Sequence, residues 1–165
     1  MTETTLPVSL ALLNFAGTLA RRDPDWFRPE GEMLGHFGRS QRTEGAIIFR
    51  LADHAVRVWG ASMLELKDRK FDADMLRELS PIVDRESSVV AEAALAAFDC
   101  SMISHAKDCL ASAAGEVGTS EFVGSQAAYA AIALANSYHD IRKHEVYESA
   151  AALLAELRSD EELLQ

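Results

Sequence analysis

Three side chains capable of proton transfer or metal binding follow one another at steps of four residues. They are Ser101, His105 and Cys109, with Asp108 beside the last of them. On a helix this spacing places a hydroxyl, an imidazole and a thiol on one face, within reach of each other. A nucleophile activated by His105 would also need backbone donors for an oxyanion, and in mid-helix those donors are used by the helix itself. We therefore interpret the residues as packing partners and predict no catalytic residue.

A second polar cluster lies between Tyr138 and Glu145 and contains two groups of the kind that bind zinc. Asp140 and His144 are four residues apart, a spacing that zinc ligands on a helix often show. His105 and Cys109 would complete a set of four ligands if the two helices were neighbours. Because two cations separate Asp140 from His144, and no Glu-Xaa-Xaa-His element is present, an exposed, salt-bridged helix start is the favoured interpretation. No metal or other cofactor is predicted.

A glycine-rich stretch places Gly31, Gly35 and Gly38 ahead of Arg39 and Arg42. A phosphate-binding loop would need a strand before the glycines, a helix after them and usually a lysine at its end. The spacing does not match that pattern, and no strand is predicted before it. The stretch is therefore predicted to be a connector.

Net charge is unevenly distributed along the chain. The 165 residues include 16 Lys and Arg against 26 Asp and Glu, a net charge of −10. Residues 1–83 contribute −1 and residues 84–165 contribute −9, and the second half also holds 19 alanines against 8 in the first. Alanine favours helices and allows their backbones to approach closely. The second half is therefore predicted to consist of tightly packed helices with an acidic surface.

Four acidic residues of this second half are candidates for contacts with a partner. They are Glu92, Asp99, Glu116 and Glu121. One interpretation is a solvated surface that favours solubility. The other is electrostatic attraction of a basic protein, whose cationic cleft the acidic side chains would fill. The sequence leaves both interpretations open.

The elements that position these side chains are all predicted to be helices, because apolar residues recur with helical spacing and none alternate as in a strand. Thr43 is the predicted cap of the second helix and Asp72 that of the third. A stripe in the second helix that includes Leu51, Val58 and Trp59 is predicted to face the core. The predicted helices span Pro7 to Arg22, Thr43 to Leu66, Phe71 to Leu79, Glu86 to Ala114, Thr119 or Ser120 to Ser137, and His139 to Leu157. The last of these is either a separate helix or a continuation of the one before it after a kink.

These helices are predicted to form an all-α fold, a single-domain bundle of about six helices over residues 1–165. The apolar fraction of 48% is that of a globular protein. A chain of this length buries on the order of 70% of the surface that its unfolded form exposes, so that no disulfide or metal is needed for folding. The polar ends, residues 1–6 and 159–165, are predicted to be frayed.

The composition also argues against several classes of partner. A net charge of −10 disfavours nucleic acid, whose phosphates require a basic patch, and it disfavours an anionic membrane surface. Two cysteines make no disulfide framework. The apolar segment near the N-terminus has no basic residue before it, unlike a signal peptide. The sequence therefore predicts a soluble, cytoplasmic protein.

Scattered hydrophobic residues, aromatic residues and a proline form a longer pattern over residues 10–140. It comprises Leu12 to Arg21, Trp26-Phe27, Val58-Trp59, Phe71-Asp72 with Leu76, Leu79 and Pro81, and the alanine-rich segment Ala91 to Asp99. In this order of elements the chain resembles the YjaG-like family, all-helical bacterial proteins of unassigned function. The small aromatic cluster that follows the first helix in that family is only partly present here. The resemblance implies an all-helical single domain and no known catalytic residue.

The leading functional hypothesis is a non-enzymatic binding module. It would act like a small immunity or antitoxin protein and occlude a basic, toxin-like protein partner with its acidic half. One alternative is a helical metalloprotein or hydrolase that uses His105, Cys109, Asp140 and His144. Another is a homo-oligomeric structural protein in which the alanine-rich helices form the contact between subunits.

Overall fold

The computed structural model describes residues 8–24, 39–40, 42–115 and 120–158. Within these residues the protein is all-α, as predicted, with seven helices where about six were expected. The described residues contain no strand apart from an isolated antiparallel bridge between Val8 and Arg39. The helices are α1 (Leu10–Arg22), α2 (residues 44–66), α3 (Lys70–Arg77), α4 (Arg85–Leu95), α5 (Ser104–Gly115), α6 (Ser120–Asn136) and α7 (Arg142–Arg158).

Two side chains from different parts of the chain fix the start of α1. The Ser9 hydroxyl accepts a hydrogen bond from the Leu12 N–H at 3.0 Å, which makes Ser9 the helix cap. Glu44, the first residue of α2, accepts hydrogen bonds from the N–H groups of Leu10 and Ala11 at 3.1 and 3.0 Å. Its carboxylate thus satisfies donors that a helix N-terminus leaves open, and it ties α1 to α2.

α2 changes its winding in the middle. Its segments Glu44–His54 and Ala61–Leu66 are α-helical, whereas Ala55–Gly60 forms a π-helical turn. The wider turn holds an extra residue and so shifts the position of the buried stripe around the helix. Trp59 is buried, as predicted, but Val58 is 39% exposed, and the prediction that Val58 faces the core is wrong.

One of the two predicted helix caps is confirmed. The Thr43 hydroxyl accepts a hydrogen bond from the Ala46 N–H at 3.2 Å at the start of α2. Asp72 does not cap α3, because it lies in the first turn and Arg69 is the residue that precedes the helix. The Asp72 carboxylate instead pairs with the Arg69 guanidinium at 2.6 Å.

The predicted helix from Glu86 to Ala114 is in fact two helices, α4 and α5. A short 3-10 turn, Ser101–Ile103, precedes α5. The Asp99 carboxylate accepts a hydrogen bond from the Ser101 N–H at 3.0 Å, and the Asp99 carbonyl oxygen accepts one from Arg69 at 2.6 Å. These bonds take the place of helical ones and interrupt the helix between its alanine-rich parts.

α6 lies at the centre of the bundle and packs against α1, α2, α5 and α7. A helix with neighbours on several sides is buried around most of its circumference, and small residues let those neighbours approach closely. The alanine content of the second half therefore serves packing within this chain. The buried residues of α6 are Val123, Gly124, Ala127, Ala128, Ala130, Ala131, Ile132, Leu134 and Ala135.

Trp59 joins three helices within the core. Its ring stacks on Phe15 of α1 with 5.9 Å between the ring centroids, and it meets the His54 ring edge-on at 4.6 Å. Its indole N–H donates a hydrogen bond to the Ser149 hydroxyl of α7 at 2.9 Å. The buried indole is therefore both packed and fully hydrogen-bonded.

Candidate functional site

Three of the four predicted partner-binding residues fall within the described residues. Glu92 lies half-buried on α4, and Glu121 is exposed in the first turn of α6. Asp99 is exposed in the link between α4 and α5, which corrects the prediction that it lies within an alanine-rich helix. Glu116 lies outside the described residues.

Two acidic residues of the first half are held by partners inside the chain. Besides Glu44, which binds the start of α1, the buried Asp53 carboxylate pairs with Arg50 at 3.1 Å and with Arg57 at 2.8 Å. It also accepts a hydrogen bond from the Ile82 N–H at 2.9 Å, which fixes the segment after α3 against α2. These two carboxylates are structural.

Two further acidic residues of the first half form exposed ion pairs. Glu65 pairs with Arg77 at 2.8 Å, and Asp74 pairs with Lys70 at 3.3 Å and with Arg77 at 3.4 Å. Pairs of this kind contribute little to stability. They do neutralise the surface of α3 and the end of α2, whereas Asp68 and Glu78 are exposed and have no ion pair among the described residues.

The acidic residues of α4, α5 and the start of α6 present their charge differently, although Asp140 and Glu156 further along the second half are paired with Arg142 and Arg50. Within the described ranges, Glu86, Glu92, Asp108 and Glu121 form neither a hydrogen bond nor an ion pair with another side chain. Lys107 is the one Lys or Arg of the sequence between positions 86 and 121. The negative charge of α4, α5 and the start of α6 is therefore left for solvent or for a partner to neutralise.

Local hydrogen bonds lower the pKa of two carboxylates on either side of α4. The Asp84 carboxylate accepts a hydrogen bond from the Ser87 N–H at 2.8 Å, and this bond lowers the pKa of Asp84. The Ser101 N–H does the same for Asp99 and lowers its pKa. Asp84 precedes α4 and Asp99 lies in the link after it, so negative charge lies on either side of the helix.

The residues proposed for a nucleophilic site do not form one. Ser101 lies in the 3-10 turn, outside the helix that holds the other two. Cys109 is fully buried, and burial raises the pKa of its thiol far above the ordinary value, so that a thiolate is disfavoured. His105 instead packs on α6, with Nδ1 2.8 Å from Oε1 of Gln126.

The proposed metal-binding face is also not assembled. Asp140 precedes α7, so it does not share a helical face with His144, and its carboxylate is bound by the Arg142 guanidinium at 2.8 Å. Asp140 and Arg142 are both exposed, as expected for a salt-bridged helix start. Across the ranges that the structure covers, no three His, Cys, Asp or Glu side chains are close enough to hold one metal ion. The glycines Gly31, Gly35 and Gly38 lie outside the described residues.

The outer face of α4 is a feature that the sequence patterns above did not predict. Val89 and Val90 are 50% and 59% exposed, and Ala93, Ala96 and Ala97 are exposed beside them. The signal was present, because residues 87–98 contain a single charged residue, Glu92. A contiguous apolar patch exposed among polar residues is typical of an interaction site.

A groove runs along one edge of this face. It lies between α4 and the segment that follows α3, with a volume of about 360 Å³. Leu79, Pro81 and Val83 line it from that segment, opposite Val90 of α4. Asp84 and Glu86 line the same groove, so that apolar and acidic groups face one opening.

His54 occupies an unusual position beside Trp59. Both of its ring nitrogens are buried and have no hydrogen-bond partner among the described residues. Burial, reinforced by the positive charge of Arg50, lowers the pKa of His54 to about 4, whereas Asp53 and Glu156 oppose the shift. The imidazole is therefore neutral in the folded protein at neutral pH.

We expect this histidine to make the protein less stable in mild acid. In the unfolded chain the imidazole has its ordinary pKa of about 6.5, whereas in the folded protein its pKa is about 4. Between these two pH values the unfolded chain therefore binds one more proton than the folded protein, and protonation favours unfolding. The free energy of unfolding should fall by about 2 kcal/mol between roughly pH 7 and pH 5. Urea titrations across this range should show that His54→Phe removes most of the loss. His139→Phe, at an exposed histidine, should leave the loss of stability as large as in the wild type. If His54→Phe loses as much stability between roughly pH 7 and pH 5 as the wild type, His54 is not the cause of the loss.

Comparison with known proteins gives no relative for this chain. No protein-family model, no curated protein and no solved structure matches it. Among the described helices, none has both the length and the apolar character needed to cross a bilayer.

Proposed function

We propose that this protein is a non-enzymatic binding module of the immunity- or antitoxin-like class, which holds a basic protein partner against the acidic surface of its second half. The observation that carries the proposal is the contrast between the two sets of carboxylates. Glu44, Asp53, Glu65 and Asp74 are bound by groups of the chain itself. Glu86, Glu92, Asp108 and Glu121 have no such partners among the described residues.

Unpaired surface carboxylates attract a cationic protein at long range and guide its approach. They contribute little to folding, so their accumulation on α4, α5 and α6 has no structural explanation of the kind that Glu44 and Asp53 have. The alanines that suggested contacts between identical subunits are largely used inside the chain, around α6. Binding of a basic partner is therefore favoured over self-association of two chains of the same negative charge.

The proposal predicts that charge reversal in the second half releases a captured partner. Tagged protein carrying Glu92→Lys, Asp99→Lys or Glu121→Lys would be compared with the wild type in affinity capture from the source cells, with quantitative mass spectrometry. Each reversal should reduce recovery of the same basic protein by about threefold or more at low salt. Glu116→Lys belongs to the same series, since Glu116 is one of the predicted contacts.

Glu65→Lys and Asp74→Lys are the matched controls, because both carboxylates are exposed and belong to weak ion pairs. Reversal of Glu44 or Asp53 would disturb folding and cannot serve this purpose. Recovery should be unchanged in the controls, and thermal melts should show that all variants are folded. Equal losses in both sets, or recovery of no basic protein by the wild type, would contradict the proposed function.

A further inference from the structure

The solvent face of α4 has the spacing of a helix-packing surface. Positions 86, 89 and 93 of α4 and position 96, just past its end, follow each other at steps of three and four, and Val90 widens the same stripe. Glu86 is the charged member, at the N-terminal end, while the other positions are Val or Ala and all are exposed. This is the a and d pattern by which one helix receives another. α4 extends for about 16 Å, enough for nearly three turns of a partner helix.

Acidic side chains surround this stripe on the described surface. Asp84 caps the N-terminus of α4, Glu86 follows it, and Glu92 lies at the edge of the stripe. Asp99 lies beyond the C-terminus, and the groove brings Asp84 and Glu86 together with Val83 and Val90. The basic residue of α4, Arg85, is directed to the end of α5, where its Nε donates to the Ala114 carbonyl oxygen at 3.1 Å.

This combination defines the chemistry of the occupant. A segment that buries Val89, Val90 and Ala93 must itself be apolar on one side, and its flanks must carry positive charge to satisfy the surrounding carboxylates. A second copy of this chain would bring further negative charge to the same place. Charge complementarity therefore favours a cationic amphipathic helix over self-association.

We infer that the outer face of α4 is the docking site for an amphipathic helix of the partner, with an apolar stripe seated on Val89, Val90 and Ala93 and basic side chains on Asp84, Glu86 and Glu92. The inference rests on the proposed function and specifies which surface and which partner element it uses. The groove beside Val90 receives a side chain from the edge of that helix. Because α4 is already helical and exposed, docking requires no rearrangement of the described residues.

A synthetic peptide tests this inference even while the partner is unidentified. The probe is a fluorescent peptide of about 18 residues, long enough for five helical turns, with leucines on one face and lysines on its flanks. A scrambled peptide of the same composition has the same charge and no apolar stripe. In anisotropy titrations with the full chain, the amphipathic peptide should bind at least about tenfold more tightly than the scrambled one. Equal binding of the two peptides would reduce the interaction to charge alone and overturn the inference.

A matched pair of variants locates the binding site. Ala93→Arg places a long cation in the middle of the stripe, and Ala151→Arg makes the same change at an exposed alanine of α7. Arginine is a good helix former, so both variants should fold, as circular dichroism would verify. Binding of the amphipathic peptide should weaken about tenfold in Ala93→Arg and less than about twofold in Ala151→Arg. Equal effects, or none, would overturn the inference.

Light scattering tests whether a second copy of this chain, rather than a partner helix, covers the outer face of α4. A dimer of the wild type that Ala93→Arg dissociates would show that a second copy covers α4, which overturns the inference. The outcomes also separate the inference from the proposed function. If Ala93→Arg keeps peptide binding while Glu121→Lys, which lies on α6 outside the docking face, still releases the captured partner, the acidic surface binds its partner elsewhere and the docking face alone is wrong.

Discussion

Replacement of Gly124 by alanine should destabilise the protein by more than about 3 kcal/mol, although alanine is the better helix former. An added Cβ at this position would lie 2.0 Å from the Ala11 carbonyl oxygen and 3.0 Å from the Phe15 nitrogen. Both are backbone atoms of α1, so the clash cannot be relieved by rotation of a side chain. α1 and α6 would have to separate along the most extensive helix contact of the bundle.

Gly45 provides the control for this substitution. It lies in the first turn of α2, is exposed, and has no atom within 4 Å of the position of an added Cβ. Gly45→Ala should therefore leave stability unchanged or raise it by about 0.5–1 kcal/mol, through helix propensity alone. Urea unfolding of both variants measures the difference. If Gly124→Ala is as stable as the wild type, α1 and α6 do not pack as closely as described.

Trp59→Ala is the second large expected effect, with a loss of about 3–5 kcal/mol of unfolding free energy. The indole is 1% exposed and contacts Phe15 of α1 and His54 of α2. Its removal opens a cavity between three helices and leaves the Ser149 hydroxyl without the donor that now lies at 2.9 Å.

An exposed aromatic residue gives the comparison for Trp59. Phe71 on α3 is 84% exposed, so Phe71→Ala should change stability by less than about 0.5 kcal/mol. Thermal and urea unfolding of both variants would be measured under the same conditions. A loss below about 1 kcal/mol for Trp59→Ala would place the indole at the surface and contradict the described core.

Local features of the fold could be predicted from the sequence because their causes are local. The Thr43 cap and the helical spacing that buries Trp59 depend on residues within one or two turns. The all-α class follows from the same short-range patterns. The unequal distribution of charge and alanine also anticipated a closely packed second half, which the burial of α6 confirms.

The features that were not predicted depend on contacts between distant residues. The break between α4 and α5 depends on Arg69, which binds the Asp99 carbonyl oxygen from 30 residues away. Asp53 is structural because it binds the Ile82 N–H, and a sequence gives no sign of that pairing. Val58 is exposed because the π-helical turn shifts the buried stripe around α2. No residue type in this segment indicates such a turn.

The candidate site depends on distant contacts in the same way. The acidic residues could be counted from the sequence. Whether each one is available to a partner depends on whether a cation of the same chain already pairs with it. Glu65 and Glu92 are alike in sequence terms, yet Glu65 lies 2.8 Å from Arg77 and Glu92 has no charged partner among the described residues. Only the packed structure separates structural carboxylates from available ones.

The salt dependence of association is the sharpest test of whether the acidic half attracts a basic partner. Stopped-flow or surface measurements would give the association rate of the captured partner with the wild type and with Glu92→Lys/Glu121→Lys, at about 50 and 500 mM salt, where screening differs strongly. We predict that salt slows association with the wild type by about tenfold or more, and that the double variant is already slow at low salt and nearly insensitive to salt. An association rate that depends on neither salt nor these two carboxylates would contradict electrostatic attraction by the acidic half.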